Sequence, residues 1–208
     1  MSALKAVEFK LEIDRGSIVV DTRDPAAFGG VHIRGAYSIW LQGLPDFAGL
    51  ILPRDRPLLL LTERANDLDQ AYYSLTRLGF DMFRGYLKGG IGAWYNAGLE
   101  IENLPLLSVH RLKNMLDKDD PMTLLDTRGD EEWRSGHIGG AIHIYVGQLQ
   151  HRLDGVPRDK PVIVYCQTGH RAGIGASILL REGYTQVSNV PGSITAWIAA
   201  GFPLAVTH

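Results

Sequence analysis

Short runs of Leu or β-branched residues alternate along the chain with segments whose apolar positions recur at helical spacing. IVVDTR (18–23) and TLLDTR (123–128), then LLLL (58–61) and VIVY (162–165), read as strands. They are apolar on both faces, as strands covered above and below must be. Leu68 to Leu78 and Arg171 to Glu182 read as helices, stopping before Gly79 and Gly183, residues that accept the left-handed conformation of a helix terminus. The alternation predicts an α/β fold in which a mainly parallel sheet carries helices on both faces.

The pattern is written twice. VVDTRDPAAFGGVHIRGAYSI (19–39) lies over LLDTRGDEEWRSGHIGGAIHI (124–144) at a shift of 105 residues, and Asp, Thr, Arg, His, Ile, Gly and Ala coincide. PLLLL (57–61) then lies over PVIVY (161–165), and GGIGAWYNAG (89–98) over GSITAWIAAG (192–201). Blocks repeated in the same order indicate a duplicated unit of domain size. The junction falls between Gly98 and Ser108, which predicts domains over 1–103 and 104–208.

Composition narrows the class. With 45% hydrophobic and 21% charged residues over 208 positions, the chain is neither disordered, collagenous nor a coiled coil. Lys plus Arg number 21 against 23 for Asp plus Glu, so no global basic field draws nucleic acid or a membrane surface, and a small partner is expected. The single cysteine, Cys166, excludes an internal disulfide framework and a cysteine-based zinc knuckle, and fits a reducing compartment. The first residues, MSALKAVEFKLEIDR, lack the apolar core of a secretory signal, so a cytoplasmic location is expected. The uncharged run from Gly183 to His208 is broken by Pro191, Gly192, Gly201 and Pro203 and does not read as a membrane span.

Candidate chemistry lies where VIVY runs into Cys166-Gln167-Thr168-Gly169-His170-Arg171, just ahead of a helix. Ligands of open α/β sheets collect at the carboxyl ends of strands. Gly169 permits a tight curl in which successive N–H groups form an anion nest at a helix start. The helix terminus and Arg171 both favour the anionic, reactive form of Cys166. A lone cysteine at a strand end is also commonly a small buried hydrophobe; the glycine turn, arginine and helix start around this one favour the nucleophile.

Both halves resemble rhodanese domains, the sulfurtransferase family whose active loop begins with cysteine. The resemblance rests on the DTR...GHIGGAIHI block, the VIVYCQTGHR loop and the SNVPGSITAWIAAGFPL ending, in that order. It implies a ping-pong reaction in which Cys166 takes sulfane sulfur from thiosulfate or a persulfide and hands it to cyanide, sulfite or a thiol. It implies no metal or organic cofactor, and it makes Gln167, Thr168, Gly169, His170 and Arg171 the substrate-binding loop.

Arg171 stands either as an anion clamp or as a structural ion pair with Asp126. Asp126 and Arg128 recur as Asp21 and Arg23 in the half without cysteine, which suits a supporting role. His137, echoed by His32, reads as structural. Glu132 stands where some two-domain thiosulfate enzymes of the family carry a substrate arginine, which argues against strong thiosulfate preference. In the first half Thr62 replaces the cysteine and Asp67 the arginine, so that half is expected to be inactive, a scaffold or docking domain.

An inactive followed by an active rhodanese, with FAGLILPRDRP (47–57) before the dead loop, further resembles the tandem behind persulfide dioxygenases. The chain has no H-x-H-x-D-H motif, so dioxygenase chemistry would belong to a partner or another segment. Two rivals remain: a non-catalytic module that carries sulfur or docks partners, and a cysteine-loop phosphatase or arsenate reductase. The latter resemble C-x5-R, one residue longer than the loop from Cys166 to Arg171.

Overall fold

The computed structural model describes residues 1–206; Thr207 and His208, the end of the uncharged run, lie outside the described residues. The chain divides into two compact units, Met1–Asn103 and Leu104–His208.

In the first unit the strands are β1 (Ala3–Leu4), β2 (Ile18–Asp21), β3 (Tyr37–Ser38), β4 (Leu58–Leu61) and β5 (Phe83–Leu87). They form a parallel sheet in the order β1-β5-β4-β2-β3. The helices between and after them are α1 (Ala6–Asp14), α2 (Pro25–Gly30), α3 (Leu44–Ile51), α4 (Asp67–Arg77) and α5 (Gly90–Asn96). Every residue of β2 and β4 is buried, which is why these strands contain almost no polar residue.

The second unit repeats the plan with α6 (Val109–Asp117), β6 (Thr123–Asp126), α7 (Asp130–Ser135), β7 (Ile142–His143), β8 (Val162–Tyr165), α8 (His170–Arg181), β9 (Val187–Asn189) and α9 (Ser193–Ala199). Its sheet is parallel in the order β7-β6-β8-β9. A parallel bridge from Leu106 to Asn189 stands where β1 pairs in the first unit.

Side-chain alternation along β8 separates the two faces. Ile163 and Tyr165 join Leu124 in a core closed by Val109 and Leu112 of α6 and Ile194 and Trp197 of α9. On the other face α8 comes close: a Cβ on Gly175 would lie 3.1 Å from Thr127 Cγ2 and 3.4 Å from Val164 Cγ1. Glycine there lets the helix approach the strand and sets the height of its N-terminus above the sheet edge. Gly79 and Gly183 follow α4 and α8 with φ of 87° and 85°, the left-handed terminus read from the sequence.

Thr22-Arg23 and Thr127-Arg128 do not continue the strands, as the apolar pattern suggested. Both strands end at the aspartate because its carboxylate accepts the N–H two residues on, Arg23 N to Asp21 at 3.1 Å and Arg128 N to Asp126 at 2.9 Å, and so turns the chain. Among the described residues no helix is long and apolar enough to cross a membrane.

Candidate active site

Tyr165 ends β8 and Gly169 caps α8, so residues 166–169 form the connection at the carboxyl edge of the sheet. Gly169 has φ of 109°, and a Cβ there would meet Pro191 Cα and Val190 O at 3.3 Å. Only glycine accepts both the torsion and the close approach.

The carbonyls of the loop are held from one side. Cys166 O accepts from Ile194 N (3.2 Å), Gln167 O from Thr195 N (3.1 Å) and Thr168 O from Gly192 N (2.9 Å). Gly169 O accepts from Asn189 Nδ2 at 3.2 Å. In a trans peptide the next N–H points opposite to the carbonyl, so the amides of Gln167, Thr168, Gly169 and His170 are turned away from that segment. One of them, Gly169 N–H, donates to Cys166 Sγ at 3.1 Å. What turns these amides is carbonyl anchoring from 189–195, a segment the sequence reading did not connect with the loop.

Ser193 is the main residue it missed. Fully buried, it carries φ of 45°, rare outside glycine. Its hydroxyl accepts from Cys166 N at 3.0 Å and donates to Val190 O at 2.7 Å. The signal was present in the repeat: GG of 89–90 lies over GS of 192–193, so a serine stands where the other half has a glycine at φ of 61°. Cys166 itself is buried, 1% exposed.

Gln167, Thr168 and His170 also bond through their side chains. Gln167 Nε2 donates to Thr195 Oγ1 at 3.0 Å, and Thr168 Oγ1 lies 3.1 Å from His170 Nδ1. Arg171 does not pair with Asp126. Its two terminal nitrogens take both oxygens of Glu132, at 2.5 and 2.7 Å, because α7 presents that carboxylate toward α8 while Asp126 is already occupied. Glu132 also accepts the Gly129 N–H at 3.0 Å. The Arg171 hydrogen bonds hold the Glu132 carboxyl below its ordinary range against the opposing effect of burial, and Glu132 in turn raises Arg171.

Asp126 belongs to a buried fork with Arg128: Nε to Oδ1 at 3.0 Å and Nη2 to Oδ2 at 2.7 Å, with Nη2 also reaching Gly136 O at 2.8 Å. The first unit repeats it, Arg23 on Asp21 at 2.9 and 2.6 Å and on Val31 O at 2.7 Å. A device kept in the half without cysteine ties the strand end to the following turn in both. The histidines follow suit. His137 stacks on Trp133 at 3.5 Å and bonds Trp133 O through Nδ1; His32 stacks on Phe28 at 3.9 Å and bonds Phe28 O.

In the first unit, Thr62 Oγ1 donates to Arg64 O at 3.0 Å, and the Asp67 carboxylate accepts the Arg64 N–H at 3.1 Å. Among the described residues no group of three His, Cys, Asp or Glu side chains is placed to hold a metal ion.

Parts of this chain are similar to known proteins. YrkF of Bacillus subtilis, named as a candidate sulfur carrier protein, is 28% identical over 118 residues, 56% of this chain and 62% of its own, so the chain spans less than two thirds of that relative. A sulfurtransferase of Allochromatium vinosum is 30% identical over 93 residues, 45% of this chain and 87% of its own. The solved thiosulfate sulfurtransferase of Pseudomonas aeruginosa aligns with all of this chain and 44% of its own at 23% identity, with a TM-score of 0.45. The rhodanese-like domain matches twice, over residues 5–97 and 108–200, and on those two matches the chain belongs to the rhodanese-like family.

Proposed function

We propose that this chain is a sulfurtransferase that carries sulfane sulfur on Cys166. The carrying observation is the nest itself: four consecutive carbonyls tied back to 189–195, with the Gly169 N–H on Cys166 Sγ at 3.1 Å. Donors already fixed in place stabilise charge without reorganising, and they serve a sulfur that is anionic before and after loading. In the first half-reaction the Cys166 thiolate attacks the outer sulfur of the donor. The donor's S–S bond breaks, and its electron pair leaves on sulfite from thiosulfate, or on a thiolate from a thiol persulfide. In the second, an acceptor such as cyanide, sulfite or a thiolate attacks the outer sulfur of Cys166–S–S⁻ and returns the cysteine thiolate.

The first unit is read as non-catalytic. Thr62 stands at the position of Cys166, and Glu63 and Asp67 place two carboxylates in the matching loop.

The test is intact mass after treatment with thiosulfate or a thiol persulfide. Wild type should gain one sulfur atom, released by cyanide as thiocyanate, and Cys166→Ser should gain none while melting as wild type does. Sulfur transfer surviving in the serine variant would remove the proposal.

A further inference from the structure

The two units differ in what fills the space beside their last helix. In the second, Phe202 follows α9 and its ring is enclosed: edge-on to Trp197 at 4.9 Å and to His110 at 5.3 Å, with Lys113 Nζ 5.9 Å from its centre. The repeat carries Trp197 to Trp94, Phe202 to Leu99 and Pro203 to Glu100. The indole bonds keep that register, Trp197 Nε1 donating to Pro203 O at 2.9 Å and Trp94 Nε1 to Glu100 O at 2.8 Å. The nine-residue helices α6 and α1 correspond as well, each with a Lys–Asp pair one turn apart, Lys113 with Asp117 and Lys10 with Asp14. His110 and Lys113 therefore answer to Val7 and Lys10.

In the first unit this place is open. A cavity of about 370 Å³ lies there, bordered by Lys10, walled by Ile13, Ile33, Trp94 and Leu99, and carrying Arg34 and Glu100 on its exposed side. Its volume is in the range of small-molecule sites, whose usual lining is apolar with a few polar groups. Val7, at the place of His110, is 60% exposed, with no aromatic neighbour to cover it.

The charges narrow the ligand. Lys10 is balanced by Asp14, whose oxygens lie 2.6 and 2.7 Å from its ammonium. Arg34, 78% exposed, stands at the place of Gly139, with Glu102 3.4 Å from its Nε. Its two terminal nitrogens and the Glu100 carboxylate bond to nothing among the described residues. A guanidinium fork takes a carboxylate, and a carboxylate takes an ammonium. A simple aromatic acid would leave Glu100 and Glu102 opposing it, and an aromatic side chain within a protein would use neither Arg34 nor Glu100.

We propose that the cavity between α1 and α5 binds a free aromatic α-amino acid. Its ring takes the place that Phe202 fills in the second unit, against Trp94, while its carboxylate meets the Arg34 fork and its ammonium meets Glu100. The inference stands apart from sulfur transfer and is tested without a sulfur donor.

Calorimetric titration of the full chain would compare phenylalanine with 3-phenylpropionate, which lacks the ammonium, phenethylamine, which lacks the carboxylate, and N-acetylphenylalanine amide, an uncharged stand-in for a protein side chain. Phenylalanine should bind, and each of the other three about tenfold or more weakly. Arg34→Gly, which installs the residue of the second unit, should weaken phenylalanine and phenylpropionate about tenfold and spare phenethylamine; Glu100→Gln should weaken phenylalanine and phenethylamine and spare phenylpropionate. Leu99→Phe should close the ring site and abolish binding of all four. Arg34 and Glu100 are exposed, so their variants carry the test even where Leu99→Phe perturbs the fold. No binding of phenylalanine by wild type, an unchanged affinity in both charge variants, or N-acetylphenylalanine amide binding as tightly as phenylalanine overturns the inference, the last by making the cavity a seat for a partner protein's side chain.

Discussion

The backbone N–H of Cys166 donates to the hydroxyl of Ser193 at 3.0 Å, and Ser193 holds φ of 45° to receive it. A non-glycine residue in the left-handed region costs on the order of 1–3 kcal/mol and persists where its surroundings require it. Here the hydroxyl fills a buried donor next to the nucleophile, and its own proton goes to Val190 O at 2.7 Å.

Stability and activity should therefore part company at position 193. Ser193→Gly relieves the torsion but leaves Cys166 N–H without its acceptor; it should melt within about 1 kcal/mol of wild type while its rate of sulfur loading falls. Ser193→Ala keeps the torsion and loses the bond, and should be destabilised by about 1–3 kcal/mol. Denaturant midpoints and loading rates for the two variants check this, and undiminished loading in Ser193→Gly would make the bond irrelevant to the nucleophile.

Removing Asp126 should act on the fold. Asp126→Ala leaves Arg128, 3% exposed, as an uncompensated buried cation, a change that typically costs about 3–5 kcal/mol. Urea unfolding should show that loss, and at low temperature Cys166 loading should fall only with the folded fraction. Lost loading in a fully folded variant would instead give Asp126 a part in the chemistry.

The first unit should not be revived by a cysteine alone. In a Cys166→Ser background, Thr62→Cys places a thiol near Glu63 and Asp67, with the Arg64 N–H already bonded to the Asp67 carboxylate. Ala65, at the position of Gly169, does not hold the positive φ that the nest requires. Loading measured by mass should appear only after Ala65→Gly and Asp67→Arg are added. Full loading by Thr62→Cys would show that a cysteine at a strand end suffices.

Acid should weaken the first unit through His32. Burial lowers the His32 pKa from 6.5, outweighing the raising effects of the Phe28 carbonyl and Glu102. As pH drops below 6.5 the unfolded chain takes up a proton that the folded unit resists, so the unfolded state binds more protons and stability falls. The pH dependence of the denaturant midpoint below 6.5 should be shallower in His32→Gln than in wild type, whatever that variant's stability at neutral pH.

The repeat, the parallel sheets, the glycine-stopped helices and the cysteine loop were legible in the amino-acid sequence because each rests on local chemistry. Leu58–Leu61 and Val162–Tyr165 are apolar throughout because both faces are covered, and Gly169, Gly79 and Gly183 mark torsions that side chains resist. The recurrence of Asp21 and Arg23 as Asp126 and Arg128 pointed to a shared supporting part, which the buried forks of both units display.

Partner choice across the sheet edge was decided only by tertiary structure. Arg171 lies 39 residues from Glu132, and Cys166 lies 27 from Ser193, with no sequence period linking either pair. Asp126 was the partner expected for Arg171 from the sequence, but the buried fork of Arg128 already occupies its oxygens. The hold of residues 189–195 on the loop carbonyls has the same origin. Backbone groups carry no mark of their partners in the sequence; what pairs them is how close α9 and α8 come once Trp197 and Ile194 are buried on one face and Gly175 meets the other.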